Sequence, residues 1–492
     1  MKRSFWPYLL VVLALAGGLR LANLEHARFL WPDEYRSFDG VSVATPLFGA
    51  LYSDPIAYFG QSHEVVFYTS GLFGVLGVLV TFLIGSRLRS NRVGCTAALL
   101  LAVCGMHVNF SRSGYPVAMQ TVLIAWGLHL VLNTRSRSAH GLTGMLVAGT
   151  PFGLAQLCYL PSYASLAGAA AAIVLVGLGR KKWLNECVPG ALLLGVGAVG
   201  AYLSGLFLLT ILHPEKFESM AGYFGALRQF QRVTATYQST SPMHTLSAAI
   251  EAIARGTGAV WLLTATIGFL GACYVATRPA EGEVRFLVSV VVLTFVFFTT
   301  AGIVGLHTVY DRHYVSVLPA LCVLIAICVE HLLIRWRPAY VYTGLVVIAW
   351  FSSVSAYRVV ASPFTITPIT SYLREHGIEK AHVTTSLDLW EPGDTKPRDT
   401  DPGTVFQNPS GAPAINWKQI VLLYRDDGVR YLLTSGIGSR SQLGDGDPVL
   451  AREGVRPLHT WTHPYRMMGS SDQRLQDFSL YDLSEVIPSL PR

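Results

Sequence analysis

Charge is scarce in this chain: 14% of its 492 residues are charged, against 51% that are hydrophobic. Apolar runs of about 18 residues or more recur up to position 357, which excludes a soluble protein and identifies a polytopic α-helical membrane protein. Cysteine is missing from the polar C-terminal stretch. All seven, Cys95, Cys104, Cys158, Cys187, Cys273, Cys322 and Cys328, lie in or beside apolar segments, so no disulfide framework is indicated. A basic patch interleaved with aromatics is also lacking. The formal charge of +7 comes from residues in short gaps between apolar segments, a distribution that reports topology and argues against nucleic acid as a partner. No internal repeat or matched pair of broken segments stands out, which disfavours a transporter built from inverted repeats.

What is present is a series of apolar segments, at 5–24, 64–85, 94–110, 116–133, 143–158, 162–179, 188–212, 258–277, 286–306, 314–334 and 339–357, giving about eleven spans. Alternate gaps carry Arg87, Arg89 and Arg92; Arg135 and Arg137; Arg180, Lys181 and Lys182; Arg278 and Arg285; Arg335 and Arg337. With Lys2 and Arg3 these mark the cytoplasmic side, which places a multi-pass protein in the cell membrane with its N-terminus inside. The opposite gaps hold most acidic residues of the membrane half. Lys2, Arg3 and Ala14-Leu15-Ala16 also fit a cleaved signal peptide, but the apolar continuation to Leu24 favours an uncleaved anchor.

Residues 1–357 thus form a membrane domain with a first outer-face loop at 25–63 and a larger one at 213–257. The larger loop sets Lys216, Arg228 and Arg232 beside Phe224, Phe230 and Tyr237, a mixture suited to interfacial helices and also to an acceptor or lipid headgroup. Beyond it, 358–492 turns rich in Pro, Gly, Asp and Thr and is long enough for one small extracytoplasmic α/β domain. Pro368 to Glu375 reads as a helix closed by Gly377, and 381–386, 429–436, 456–462 and 476–482 read as strands. A further helix is expected at 417–428 and a short one near Val449. Asp445-Gly446-Asp447 reads as a turn rather than a nucleotide-sugar metal motif.

The densest chemistry lies in FLWPDEYRSFDG, residues 29–40, where Asp33 and Glu34 follow Pro32 just beyond the first apolar segment. A carboxylate at the water–lipid boundary can take the proton of an acceptor hydroxyl while a lipid-borne group departs. Such a leaving group would be a phosphate, and Arg112 in NFSRSGYP and Arg312 in VYDRHYVSVLP end outer-face segments where guanidinium can fork onto phosphate oxygens. Both also fit interfacial snorkelling, and Arg312 fits a pair with Asp311. Arg20 is a weaker phosphate candidate and is expected to pair within the bundle, with Glu25 as one partner. His63, His107, His213, His307 and His313 lie near the same face, yet no two have a tight ligand spacing; neither a divalent metal nor another cofactor is expected.

The order LRLANL, WPDEYRSF, SRSGYP, GLAQLCYLPSY and YDRHYVSVLPAL resembles bacterial GT-C glycosyltransferases related to protein O-mannosyltransferases and lipid A aminoarabinose transferases. The resemblance covers about 360 residues of the membrane half and rests on order and spacing rather than on one motif. It implies transfer of a sugar from a polyprenyl monophosphate (dolichyl or undecaprenyl) to an acceptor hydroxyl of a protein, lipid or glycan on the outer face, usually with inversion. It further implies that Asp33 is the catalytic base with Glu34 beside it, and that Arg112, Arg312 and Tyr314 contact the lipid phosphate. His63, Glu64 and Tyr35 become candidate acceptor or donor contacts. The chain departs from many relatives by Pro116 where they carry a second arginine, and by His63-Glu64-Val65 where they carry His-Pro-Pro. A lipid carrier or flippase without chemistry, and a ligase using a diphosphate-linked glycan, are the alternative readings.

Overall fold

The computed structural model describes residues 5–24, 46–47, 50–51, 63–113, 116–135, 141–178, 183–212, 220–221, 223–224, 257, 259–278, 281–303, 311–361, 366–379, 383–385, 428–435, 456–462 and 477–485. The apolar segments of the membrane half form helices α1 (Trp6–Leu21), α2 (His63–Leu88), α3 (Asn91–Ala102), α4 (Gly105–Ser111), α5 (Val117–Arg135) and α6 (Gly141–Cys158). They continue with α7 (Tyr163–Gly177), α8 (Val188–Leu212), α9 (Ala259–Ala276), α10 (Gly282–Ile303), α11 (Leu318–Arg335) and α12 (Pro338–Ala361).

Among the described residues seven helices are long and apolar enough to cross a membrane, or eight if the bent pair α3 and α4 is one span. That is fewer than the eleven expected. Three shorter apolar helices, Trp6–Leu21, Val260–Ala276 and Pro338–Val354, accompany them among the described residues. Within the segment 94–110, read from sequence as continuous, the chain breaks at Val103 and Cys104 and turns by 66°.

Lipid is as apolar as a leucine side chain, so these helices associate through close packing rather than through burial from water. The pair α6 and α8 shows how: a side chain on Gly149 would run into the Leu194 carbonyl, one on Gly153 into Ala198, and one on Gly197 into Leu146. Glycine there brings backbone against backbone. Elsewhere in the bundle Gly71, Gly74 and Gly77 of α2 make room for Leu21 and Arg20 of α1 and for Ser111 and His107 of α4.

The connections sort to two ends of the bundle. At one, α1 leaves toward the first loop, α4 ends at Arg112, and Leu47 and Ala50 of the first loop pack with Leu157, Leu206, Leu209 and Tyr223 of the large loop. Ala356 and Val360, near the end of α12, pack with Leu19 and Val108, so the chain enters its C-terminal part from this same end. At the other, Arg89 pairs with Glu281, Arg87 lies 3.6 Å from Glu283, and Ser90, which caps α3, donates to Glu330 at 2.8 Å.

The C-terminal part is α/β. Helix α13 (Ile366–Glu375) ends at Gly377, whose φ of +63° lets the Ile378 N–H return to the Leu373 carbonyl at 2.8 Å. A sheet follows, of β1 (Val383–Thr385), β2 (Tyr431–Ser435), β3 (His459–Thr462) and β4 (Asp477–Asp482), in the order β1-β2-β4-β3. β1 and β2 are parallel and the other pairs antiparallel. Ile369 and Leu373 of α13 pack with Val383, Leu433, Trp461 and Leu480, the face on which each strand places alternate residues. The expected helices at 417–428 and near Val449, and the turn at Asp445–Asp447, lie outside the described residues.

Candidate functional site

Helix α1 ends in a way that fixes where the first loop begins. Arg20 stands one residue before its end and is completely buried. One terminal nitrogen of its guanidinium donates to the Ala16 and Ala102 carbonyls at 3.1 and 3.0 Å. The second donates to the Leu101 carbonyl at 3.2 Å and to His107 Nδ1 at 2.8 Å. Leu101 and Ala102 close α3, and at the break the Leu101 carbonyl keeps a Cys104 N–H at 3.3 Å beside the arginine. The cation therefore caps a broken helix and complements the negative end of its dipole.

Arg112 answers from the other side. It follows α4, is 2% exposed, and donates to the Arg20 and Ala22 carbonyls at 3.2 and 2.5 Å and to the Asn23 carbonyl at 3.0 Å. Asn23 has a φ of +51°, the left-handed turn by which the chain leaves α1. Arg112 thus holds the backbone at the end of Arg20's helix, while Arg20 ties the end of α3 to His107 of the helix that Arg112 follows.

A second group forms where α6 ends and α11 begins. Arg312 and His313 lie in the single turn Asp311–Tyr314, which leads through Val315–Val317 into α11. The Arg312 Nε–H donates to the Tyr159 hydroxyl at 2.9 Å, and that hydroxyl lies 3.0 Å from His313 Nε2. The phenol oxygen accepts from arginine, and toward the imidazole it donates or accepts according to the ring's tautomer. His313 is buried with its ring stacked on Phe298 at 5.4 Å. Tyr314 is buried too, with its hydroxyl 3.2 Å from Thr299 Oγ1 and its ring against Phe295 and Phe298. Beside these, the Tyr223 hydroxyl meets Tyr202 at 3.2 Å, and burial pushes the Tyr223 phenol up, so it stays a hydrogen-bond donor.

Of the residues singled out in sequence, Asp33, Glu34 and Tyr35 lie outside the described residues, as do Glu25, His213 and His307. His63 and Glu64 open α2. Arg112, Arg312 and Tyr314 sit at the end of the bundle from which the first loop departs. The described bonds of Arg20 run to carbonyls and to His107. His107 and His313 make hydrogen bonds to protein groups, and among the described residues no three His, Cys, Asp or Glu side chains gather as metal ligands. Tyr159 and His107 had no assigned role in sequence. The signal for Tyr159 was its place in CYLPSY, where an apolar span stops short of a Pro.

No protein-family model matches the sequence, and no curated protein matches it. The solved structures do. The chain superposes on the oligosaccharyltransferase of Archaeoglobus fulgidus, crystallised with Zn and sulfate, with a TM-score of 0.51 and 15% identity over 76% of this chain and 56% of that one. It superposes on ArnT from Cupriavidus metallidurans bound to undecaprenyl phosphate with a TM-score of 0.53 and 15% identity, over 76% of this chain and 74% of that one. The chain shares the fold of these two proteins. A further structure of the Archaeoglobus fulgidus enzyme AglB, with an inhibitory peptide and a dolichol-phosphate, covers 88% of this chain and 69% of its own at 14% identity and a TM-score of 0.51. The chain spans little more than half the length of the first of these proteins, so the agreement concerns the fold alone, and with the apolar helices it makes this a multi-pass membrane protein.

Proposed function

We propose that the protein is a glycosyltransferase that moves a sugar from a polyprenyl monophosphate to an acceptor hydroxyl on the outer face of the cell membrane, with inversion. The observation that carries this reading is a GT-C fold that brings Arg112 and Arg312 to the end from which the first loop departs, with their guanidinium groups oriented by hydrogen bonds to carbonyls and to the Tyr159 hydroxyl. A guanidinium oriented in this way presents the forked donors that suit a phosphate. That ArnT and AglB are structures with undecaprenyl phosphate and dolichol-phosphate supports a lipid phosphate as that anion.

In the proposed reaction Asp33 takes the acceptor's proton, the acceptor oxygen bonds to the anomeric carbon, and the bond from that carbon to the phosphate oxygen breaks. Arg112, Arg312 and the Tyr314 hydroxyl offset the charge that gathers on the departing polyprenyl phosphate. A single in-line displacement needs one base, with Glu34 beside it, and no covalent intermediate. His63, Glu64 and Tyr35 are the proposed contacts to donor or acceptor.

The test is release of polyprenyl monophosphate from a panel of polyprenyl-phosphate sugars by the purified protein in lipid, with membrane extract as acceptor source. Asp33→Asn should lower turnover by about 10²- to 10⁴-fold while donor binding persists. Absence of release by the wild type with every donor would sink the transferase, and movement of lipid without a new glycosidic bond would favour a carrier.

A further inference from the structure

We propose that Arg20 is a positioning residue for the reaction, acting through the α3–α4 corner it ties and through Arg112, which fixes the root of the loop carrying Asp33. The inference rests on the transferase reading above and deepens it.

An arginine in the membrane interior costs about 2.5 kcal/mol or more, and a side chain that only closed packing would be cheaper as leucine. Arg20 holds its place through acceptors on three elements: the Ala16 carbonyl of α1, the Leu101 and Ala102 carbonyls of α3, and the His107 ring of α4. The space is prepared for it. A Cβ at Gly74 would stand 2.8 Å from Arg20 Cδ and would also strike Ser111. Ser111 in turn donates to the His107 carbonyl at 2.6 Å. By tying α3 to α4 at their 66° corner, Arg20 sets the direction in which α4 delivers Arg112. Arg112 then grips the Arg20, Ala22 and Asn23 carbonyls, the last backbone before the loop. Leu24, buried at 2% exposure, completes the anchored root. The chain of contacts therefore runs from Arg20 through the corner and Arg112 back to the point where the first loop starts. A base on that loop is only as well placed as its root, and a displacement of about 1 Å can cost 10²-fold in rate.

Arg20→Lys keeps the charge, but one ammonium cannot reach acceptors spread over three elements. We expect kcat to fall about 10- to 100-fold, with a smaller loss of affinity for polyprenyl phosphate because Arg112 is displaced as well. In an Asp33→Asn background the same substitution should cost nothing further, because the two act on one step. Gly74→Ala, which displaces Arg20 without changing its charge, should lower kcat in the same sense and decides the matter if Arg20→Lys does not fold. Hydrogen exchange at the amides of Ala22, Asn23 and Leu24 in the full chain should quicken in both variants, a readout that needs no turnover. Unchanged exchange and kcat, equal losses in kcat and donor affinity, or a loss that multiplies with Asp33→Asn would overturn the inference. Failure of the wild type to release polyprenyl phosphate would instead overturn the transferase reading, with the exchange result still deciding the anchoring of the loop root.

Discussion

The two ends of the helical bundle treat arginine differently. At the end away from the first loop, Arg87 and Arg89 meet Glu283 and Glu281, and Glu330 accepts from Ser90. At the first-loop end, the described bonds of Arg20, Arg112 and Arg312 run to backbone carbonyls, a histidine ring and a phenol. A carboxylate partner cancels a cation's charge and leaves a neutral structural joint. A carbonyl or hydroxyl fixes its orientation and leaves the charge in place. The described bonds thus hold the arginines of the two ends by different chemistry, and the proposed function makes use of that difference.

That contrast is tested first where its effect should be largest. Arg312→Gln removes a charge held by Tyr159 and should weaken polyprenyl-phosphate binding by about 10- to 100-fold, the range of a charge-assisted hydrogen bond to an anion; displacement of a labelled polyprenyl phosphate measures it. If Arg312→Gln binds as the wild type does, the first-loop end is no anion site. Arg89→Ala at the opposite end breaks a partly exposed ion pair and should lower stability by no more than about 1 kcal/mol, with turnover unaltered. Thermal unfolding in detergent beside the release assay would show this, and a loss of activity there would dissolve the distinction between the ends.

The smallest effect belongs to the C-terminal part, where Arg430 and Asp482 repeat the carboxylate-paired arrangement at 2.8 Å. Partial burial pushes the Asp482 carboxyl up, but the hydrogen bonds from Arg430 and Ser484 outweigh it and hold the group below its ordinary value. A carboxyl with a depressed folded pKa contributes stability above its unfolded pKa and loses it as pH falls through the folded one. The unfolding midpoint of the C-terminal part in the full-length protein should therefore drop as pH falls below the ordinary carboxylate range. Arg430→Gln should blunt that drop, and an equal drop in the variant would remove the pair as its cause.

Much of the membrane half was legible because lipid makes the rules simple: apolar length reports helices, and charged gaps report ends. The segment 64–85 became α2 and 188–212 became α8 with little shift in boundary. The break at Val103 and Cys104 was not legible. Nothing local demands it, since no proline stands there; its partner is Arg20, more than 80 residues earlier in the chain. The strands at 429–436 and 476–482 were legible from β-branched and aromatic alternation, whereas the order β1-β2-β4-β3 depends on tertiary pairing that no short window contains. At the candidate site the arginines were visible as charges near segment ends. Their partners were not, because backbone carbonyls have no residue letter, and Tyr159 reads as one more interfacial aromatic until Arg312 arrives beside it.

A kinked membrane helix invites comparison with a hinge, and the corner between α3 and α4 has that outline. Its chemistry makes it a rivet. To straighten, it would have to strip Arg20 from the Leu101 and Ala102 carbonyls and leave a full charge facing hydrocarbon, at several kilocalories per orphaned group. Any motion that the proposed reaction requires must therefore pivot about this corner without bending it, so that the framework at the root of the first loop stays fixed through the working cycle.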